Sequence, residues 1–211
     1  MAIPADNRGR LRLMSNQIET QIDVSLTERN RLTVLFRGIL VLPALLYFFA
    51  FTPGNEFYGF LWIALGVGFA LPAAMTLVVR QKYPSYVLAI NEALLGLKTR
   101  FLAYIYYLTD EYPSIEDNDF VSVTFPDFEP KELNRWLPLI KWALAFPLYA
   151  VGIVYIIYSH VLTIIGFFSI LFTGKYPEFC AEGVVGTIAY WNRVAGYAFL
   201  LVTDEYPTFS L

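Results

Sequence analysis

The spacing of apolar and polar positions changes several times along the chain, and each change marks an element. Apolar residues at Ile18, Ile22, Val24 and Leu26 are spaced mostly by two, which predicts a short half-buried strand within 18–26. Beyond Arg29, Asn30 and Arg31 the chain becomes almost continuously apolar. Residues 32–52, interrupted by Arg37, form one candidate membrane span, and 57–79 form a second with no charged residue. Either is long enough for a hydrocarbon core about 30 Å thick. Thr52-Pro53-Gly54-Asn55-Glu56 between them is rich in turn formers, so the two spans read as a helical hairpin.

After Arg80-Gln81-Lys82-Tyr83-Pro84 the pattern changes again. Residues 85–108 are apolar but carry Ser85, Asn91, Glu92, Lys98 and Thr99 at sevenfold spacings, so these polar groups share one helical face. Such a helix is expected to lie in the headgroup region rather than to cross the bilayer. It ends at Thr109-Asp110-Glu111-Tyr112-Pro113, and an acidic linker with Glu116, Asp117 and Asp119 follows.

The same order then returns. Phe120–Glu129 matches the early strand in character, and Glu132, Asn134, Arg135, Lys141 and Pro147 fall 104 residues after Glu28, Asn30, Arg31, Arg37 and Pro43. Lys175-Tyr176-Pro177 and Arg193 follow Lys82-Tyr83-Pro84 and Arg100 at an offset of 93. Thr203-Asp204-Glu205-Tyr206-Pro207 follows Thr109–Pro113 at 94. Matches in the same order, with an offset that falls because the first hairpin is 11 residues longer, predict a tandem repeat. The expected organisation is a basic tail (1–17), a first membrane repeat (18–115) and a second (116–211) with a hairpin over 136–173 and an interfacial helix over 178–202. The expected fold class is therefore an all-α integral membrane protein with about four spanning helices. Trp142 to Thr173 covers only 32 residues, about 48 Å of helix, whereas two crossings need roughly 40 residues. The second hairpin is thus expected to be short or re-entrant.

Composition sharpens this picture. Apolar residues make up 57% of the 211 and charged residues 16%, with a mean hydropathy of +0.51; soluble domains carry about 25% charged residues. The net charge of −3 argues against a nucleic-acid partner. A single cysteine (Cys180) and a single histidine (His160) leave no disulfide framework, no Cys/His metal site and no bis-histidine haem. Arg8, Arg10 and Arg12 precede polar residues rather than an apolar core, so the N-terminus is not read as a secretory signal. The expected far-side turns, 52–57 and 157–161, contain no Lys or Arg. The positive-inside rule then puts both termini in the cytoplasm.

The residues Arg31-Leu-Thr-Val-Leu-Phe-Arg37 with Pro43, then Leu171-Phe172-Thr173-Gly174-Lys175-Tyr176-Pro177, then Thr203-Asp204-Glu205-Tyr206-Pro207-Thr208-Phe209-Ser210-Leu211, resemble a bacterial membrane family known as domain of unknown function 4389. In the first half Val79-Arg80-Gln81 stands where that pattern has Phe-Thr-Gly, so the helix end there is expected to lack a glycine cap. The resemblance implies a bacterial inner-membrane location and supplies no reaction, cofactor or catalytic residue.

Six cations recur between the halves: Arg37, Lys82, Arg100, Lys141, Lys175 and Arg193. They read either as lipid-headgroup or partner contacts or as snorkelling residues that set orientation. The two Thr-Asp-Glu-Tyr-Pro segments read as helix ends, since Pro cannot continue a helix. The carboxylates there, Asp110, Glu111, Asp204 and Glu205, oppose the helix dipole, so a partner cation such as a neighbouring Arg or Lys is expected. No phosphate-cradling loop, dinucleotide fingerprint or nucleophile–base motif is present, and no catalytic residue, metal or cofactor is expected. The expected function is a non-catalytic accessory or scaffolding subunit of a larger bacterial membrane complex, contacting lipids and other membrane subunits. A small oligomeric channel or transporter is the alternative, with a lipid-headgroup enzyme behind it.

Overall fold

The computed structural model describes residues 16–51, 70–116 and 118–211. Most of the basic tail, the 52–57 turn with Glu56, the first thirteen residues of the 57–79 span, and Asp117 of the linker lie outside them.

Strands form inside both predicted windows, β1 (Glu19–Ile22) and β2 (Val121–Thr124), and they pair with each other in antiparallel register, Glu19 opposite Thr124 and Ile22 opposite Val121. The fold is therefore not all-α. After β1, Asn30 caps α1 (Arg31–Leu35) by accepting from Leu32 N and Thr33 N. α2 (Arg37–Leu40) and α3 (Leu42–Phe51) continue it in short bent pieces, and α4 (Ala70–Arg80) is the next described helix. α5 (Ser85–Ile105) starts at Pro84, whose fixed φ suits the first helical turn.

A 3-10 turn (Leu137–Leu139) and α6 (Lys141–Leu144) lead into α7 (Phe146–Thr173), α8 (Glu178–Ala195) begins at Pro177, and a π-helical turn (Gly196–Leu200) ends it. Gly174, with φ +75°, terminates α7 in the left-handed conformation. Gln81 at the matching end of α4 adopts φ +46° without being glycine.

Three expectations are corrected here. First, 136–173 is no hairpin: α7 is one continuous helix through the expected 157–161 turn. Ser159 Oγ and Thr163 Oγ1 donate back to the carbonyls of Ile156 and Ser159, and His160 Nδ1 lies 2.7 Å from Ile156 O. These polar side chains are satisfied by the helix itself and do not break it. Second, among the described residues only α7 is long and apolar enough to cross a membrane, which does not fit four spans. That one helix points to membrane association and no further.

Third, α5 and α8 are not exposed interfacial helices. They form the interior, with eleven buried residues in each. The polar face of α5 is met by protein: Asn91, Lys98 and Thr99 are buried while Glu92 is exposed. β1 packs on α8 and β2 on α5, and α8 packs along α7. The main core joins Val184 and Ile188 of α8 to Leu162 and Ile170 of α7, with Val34, Ala103 and Val121.

Candidate functional site

Both Thr-Asp-Glu-Tyr-Pro segments follow a residue that ends its helix in the left-handed region, Tyr107 (φ 61°) and Leu201 (φ 59°). That reversal turns the next residues back across the helix end. In each segment the Thr hydroxyl accepts from the backbone N–H two residues on, Thr109 from Glu111 and Thr203 from Glu205, both at 3.1 Å. The aspartates are thereby held facing a buried cation.

In the first half, Asp110 Oδ1 lies 2.5 Å from Arg37 and 3.0 Å from Arg29, and Oδ2 accepts from Asn30 N at 3.2 Å. Arg37 also donates to Tyr104 O (2.8 Å) and Thr109 O (3.0 Å), with its guanidinium 4.3 Å from the Tyr104 ring centre. Arg29 donates to the carbonyls of Ser25, Tyr107 and Leu108. Burial pushes the Arg29 guanidinium below its ordinary pKa, opposed by Asp110.

The second half builds the same site with one cation. Asp204 Oδ1 is 2.6 Å from Lys141 Nζ and Oδ2 accepts from Asn134 N at 2.6 Å. Lys141 donates to Thr203 O at 2.6 Å and stands 5.2 Å from the Tyr197 ring. Asn134 Oδ1 accepts from Trp136 N as Asn30 does from Leu32 N. Burial lowers the Lys141 pKa, with Asp204 opposing. The partner cation each aspartate needs is thus Arg37 in one half and Lys141 in the other.

Contacts between the halves are reciprocal. Tyr83 OH donates to Leu200 O at 2.9 Å and Tyr176 OH to Tyr106 O at 3.2 Å. Arg135 donates to Val78 O and Val79 O at the end of α4, and Arg31 lies beside Gly174 at the end of α7. Asn192 Nδ2 donates to Thr99 Oγ1, its counterpart 93 residues earlier, at 3.0 Å.

Of the six recurring cations, Arg37, Arg100 and Lys141 are buried and bonded within the chain, which does not fit headgroup contact. Arg100 donates to Ser114 O and Ile115 O, and the half-buried Arg193 donates to Ser210 O. Lys82 and Lys175 are exposed. Within the turns, Glu111, Glu205, Tyr112 and Tyr206 are exposed while Pro113 and Pro207 are buried. Tyr206 OH donates to Leu144 O. Sequence reasoning missed Arg29 as a site-forming residue and Lys98 as a buried one. Repeat matching could not have flagged them, because Leu133 and Trp191 occupy the corresponding positions.

Chemically these two sites are anchors. Each spends its charges on fastening a helix end to the apolar segment that follows Asn30 or Asn134. Among the described residues no group of three or more His, Cys, Asp or Glu side chains could hold a metal ion. Among the described residues, open clefts include one of about 310 Å³ beside Glu92 and Arg100 and one of about 240 Å³ beside Asp204 and Glu205.

Comparison with curated proteins and with solved structures finds no match. The segment from the 3-10 turn through α8 to the second anchor, residues 136–210, matches the family described as domain of unknown function (DUF4389).

Proposed function

We propose that this chain is a non-catalytic membrane protein of the bacterial inner membrane that serves as an accessory or scaffolding component for other membrane subunits. The observation that carries the membrane reading is the outer face of α7. Only 22% of its most apolar window is buried, and Ile153, Val154, Ile157, Val161, Ile164 and Phe168 are each at least 50% exposed. A core helix of a soluble protein hides such residues; a contiguous exposed apolar face of this length marks a membrane or protein contact. The non-catalytic part rests on the anchors, whose polar atoms are engaged in holding the fold. We further read the two halves as copies of one unit, a reading supported by the equivalent contacts at Asp110 and Asp204 and by the reciprocal tyrosine bonds.

Two measurements test the proposal. The expressed chain is expected to float with membranes in a density gradient and to resist extraction by high salt. Purified in mild detergent, it is expected to bring other membrane proteins with it. Recovery in the soluble fraction defeats the first part; migration always as a lone monomer defeats the second.

A further inference from the structure

We infer that α7 lies in the plane of the membrane, within one leaflet, and does not cross it; this rests on the membrane reading above and specifies its geometry.

The helix is cleanly two-faced. Its buried residues are Leu148, Gly152, Ser159, Leu162, Gly166 and Ile170, and the exposed apolar stripe occupies the opposite side. The buried side is covered by α8 and the turn that leads into it. Gly152 packs under Trp191, the backbone of Tyr155 meets Thr187, Gly183 packs under Leu162 and Tyr158, and Gly166 packs under Tyr176. Two helices so joined must share an orientation to the bilayer.

Gly183 meets Leu162 and Tyr158 near the middle of α7, so its neighbour Glu182, which is exposed, stands close to the midpoint of the pair. The exposed His160 sits at that same level. A crossing orientation would carry both to the centre of the hydrocarbon, where an exposed carboxylate is strongly disfavoured. Turned into the plane, the same pair directs the apolar stripe into the acyl region and leaves Glu182 and His160 on its flanks. An apolar face against lipid with polar flanks is the arrangement of an interfacial helix.

The rest of the fold agrees with that orientation. The sheet packs on α5 and α8 and leaves Gln21, Ser122 and Thr124 exposed. The segments after Asn30 and Asn134 expose apolar residues at matching positions: Leu32 (69%) with Trp136 (65%), and Leu35 (53%) with Leu139 (52%). One segment leads into the start of α7. The other begins beside its end, where Arg29 N donates to Gly174 O. With α7 in the plane, both segments, one at each of its ends, reach the same leaflet.

The test places one cysteine beyond each end of α7, Lys131→Cys or Lys175→Cys, both at exposed positions; the native chain, whose only cysteine is the buried Cys180, serves as the blank. A membrane-impermeant maleimide is applied to spheroplasts and to inverted inner-membrane vesicles of an expressing bacterium. Both variants are expected to label in inverted vesicles and to lose that label in spheroplasts. Labelling of the two positions from opposite sides overturns the in-plane placement while leaving the membrane reading intact. Absence of the chain from the vesicles overturns the membrane reading itself, and the placement with it. Trypsin cleavage of the unaltered chain at Lys131 and Lys175 in the same two preparations checks that the substitutions have not disturbed the fold.

Discussion

Lys141 Nζ lies 2.6 Å from Asp204 Oδ1, the ammonium fully buried and the carboxylate partly open to solvent. An ion pair of this kind is strongly destabilising to break from one side, because the remaining charge keeps its desolvation cost without its partner. Asp204→Asn is expected to lower the stability of the detergent-solubilised protein by about 3 kcal/mol. Lys141→Met combined with Asp204→Leu is expected to recover much of that loss. Denaturant titrations of the two variants check the order, and equal losses would show that the charge pairing is not what matters.

The first anchor carries two guanidiniums on one carboxylate, Arg29 and Arg37 on Asp110. Asp110→Asn therefore strands two buried cations where Asp204→Asn strands one. It is expected to be the more damaging substitution, measured by the same titration.

Lys98 is 5% exposed, and its Nζ has no hydrogen-bond partner among the described residues. Burial lowers its pKa from 10.5 to about 8. The sign follows from proton counting. Between those two values the unfolded chain holds a proton that the folded chain has released, so folded stability rises with pH across that window. Below it the folded protein bears the whole cost of a buried ammonium, roughly 3 kcal/mol for such a shift. Lys98→Met is expected to be more stable than the native chain at neutral pH, with the gap closing as pH rises from about 8 toward 10.5. A gap independent of pH would assign the gain to packing rather than to charge.

Gln81 occupies with φ +46° the place that Gly174 takes with φ +75° in the second half. A left-handed conformation costs a residue bearing a Cβ about 1 kcal/mol, part of which glycine returns in unfolded-state entropy. Gln81→Gly is expected to raise stability by about 0.5 kcal/mol, read as a small upward shift in thermal midpoint. Gly174→Gln is expected to lower it, with Arg31 already within 3.4 Å of the Cβ position.

How far the sequence could be read depended on what kind of information each feature needed. Period-two spacing located β1 and likeness to that segment located β2, and the dipole argument asked for a cation at the acidic turns, which Arg37 and Lys141 supply at the two aspartates. Periodicity also grouped Asn91, Lys98 and Thr99 correctly on one face of α5. It could not say what that face meets, because Asn91 and Thr99 bonded to Tyr83 and Asn192 have the same spacing as polar groups satisfied by headgroups. The expected break at Ser159-His160 failed for a related reason. Neither residue is a strong helix breaker, and both side chains bond to carbonyls one turn back. Arg29 was invisible to repeat matching because its role exists in only one half.

Gly152, Ser159 and Gly166 are spaced by seven on the buried side of α7, and this spacing sets how closely α8 and its leading turn can approach. A Cβ on Gly166 would stand 2.3 Å from the Tyr176 ring, whose hydroxyl is tied to Tyr106 O. The ring cannot swing away without giving up that bond, so Gly166→Ala forces the helices apart. The expected loss is about 2 kcal/mol, in the range of overpacked cores, with Gly166→Val worse. Gly38 in α2 provides the contrast: nothing lies within 4 Å of its Cβ position. There Ala replaces Gly inside a helix with no clash, and stability is expected to rise by about 0.5 kcal/mol. Thermal unfolding of the two alanine variants in the same detergent separates the cases. If Gly166→Ala and Gly38→Ala moved the midpoint in the same direction, close approach of α7 to the turn before α8 would not be what the small residues provide.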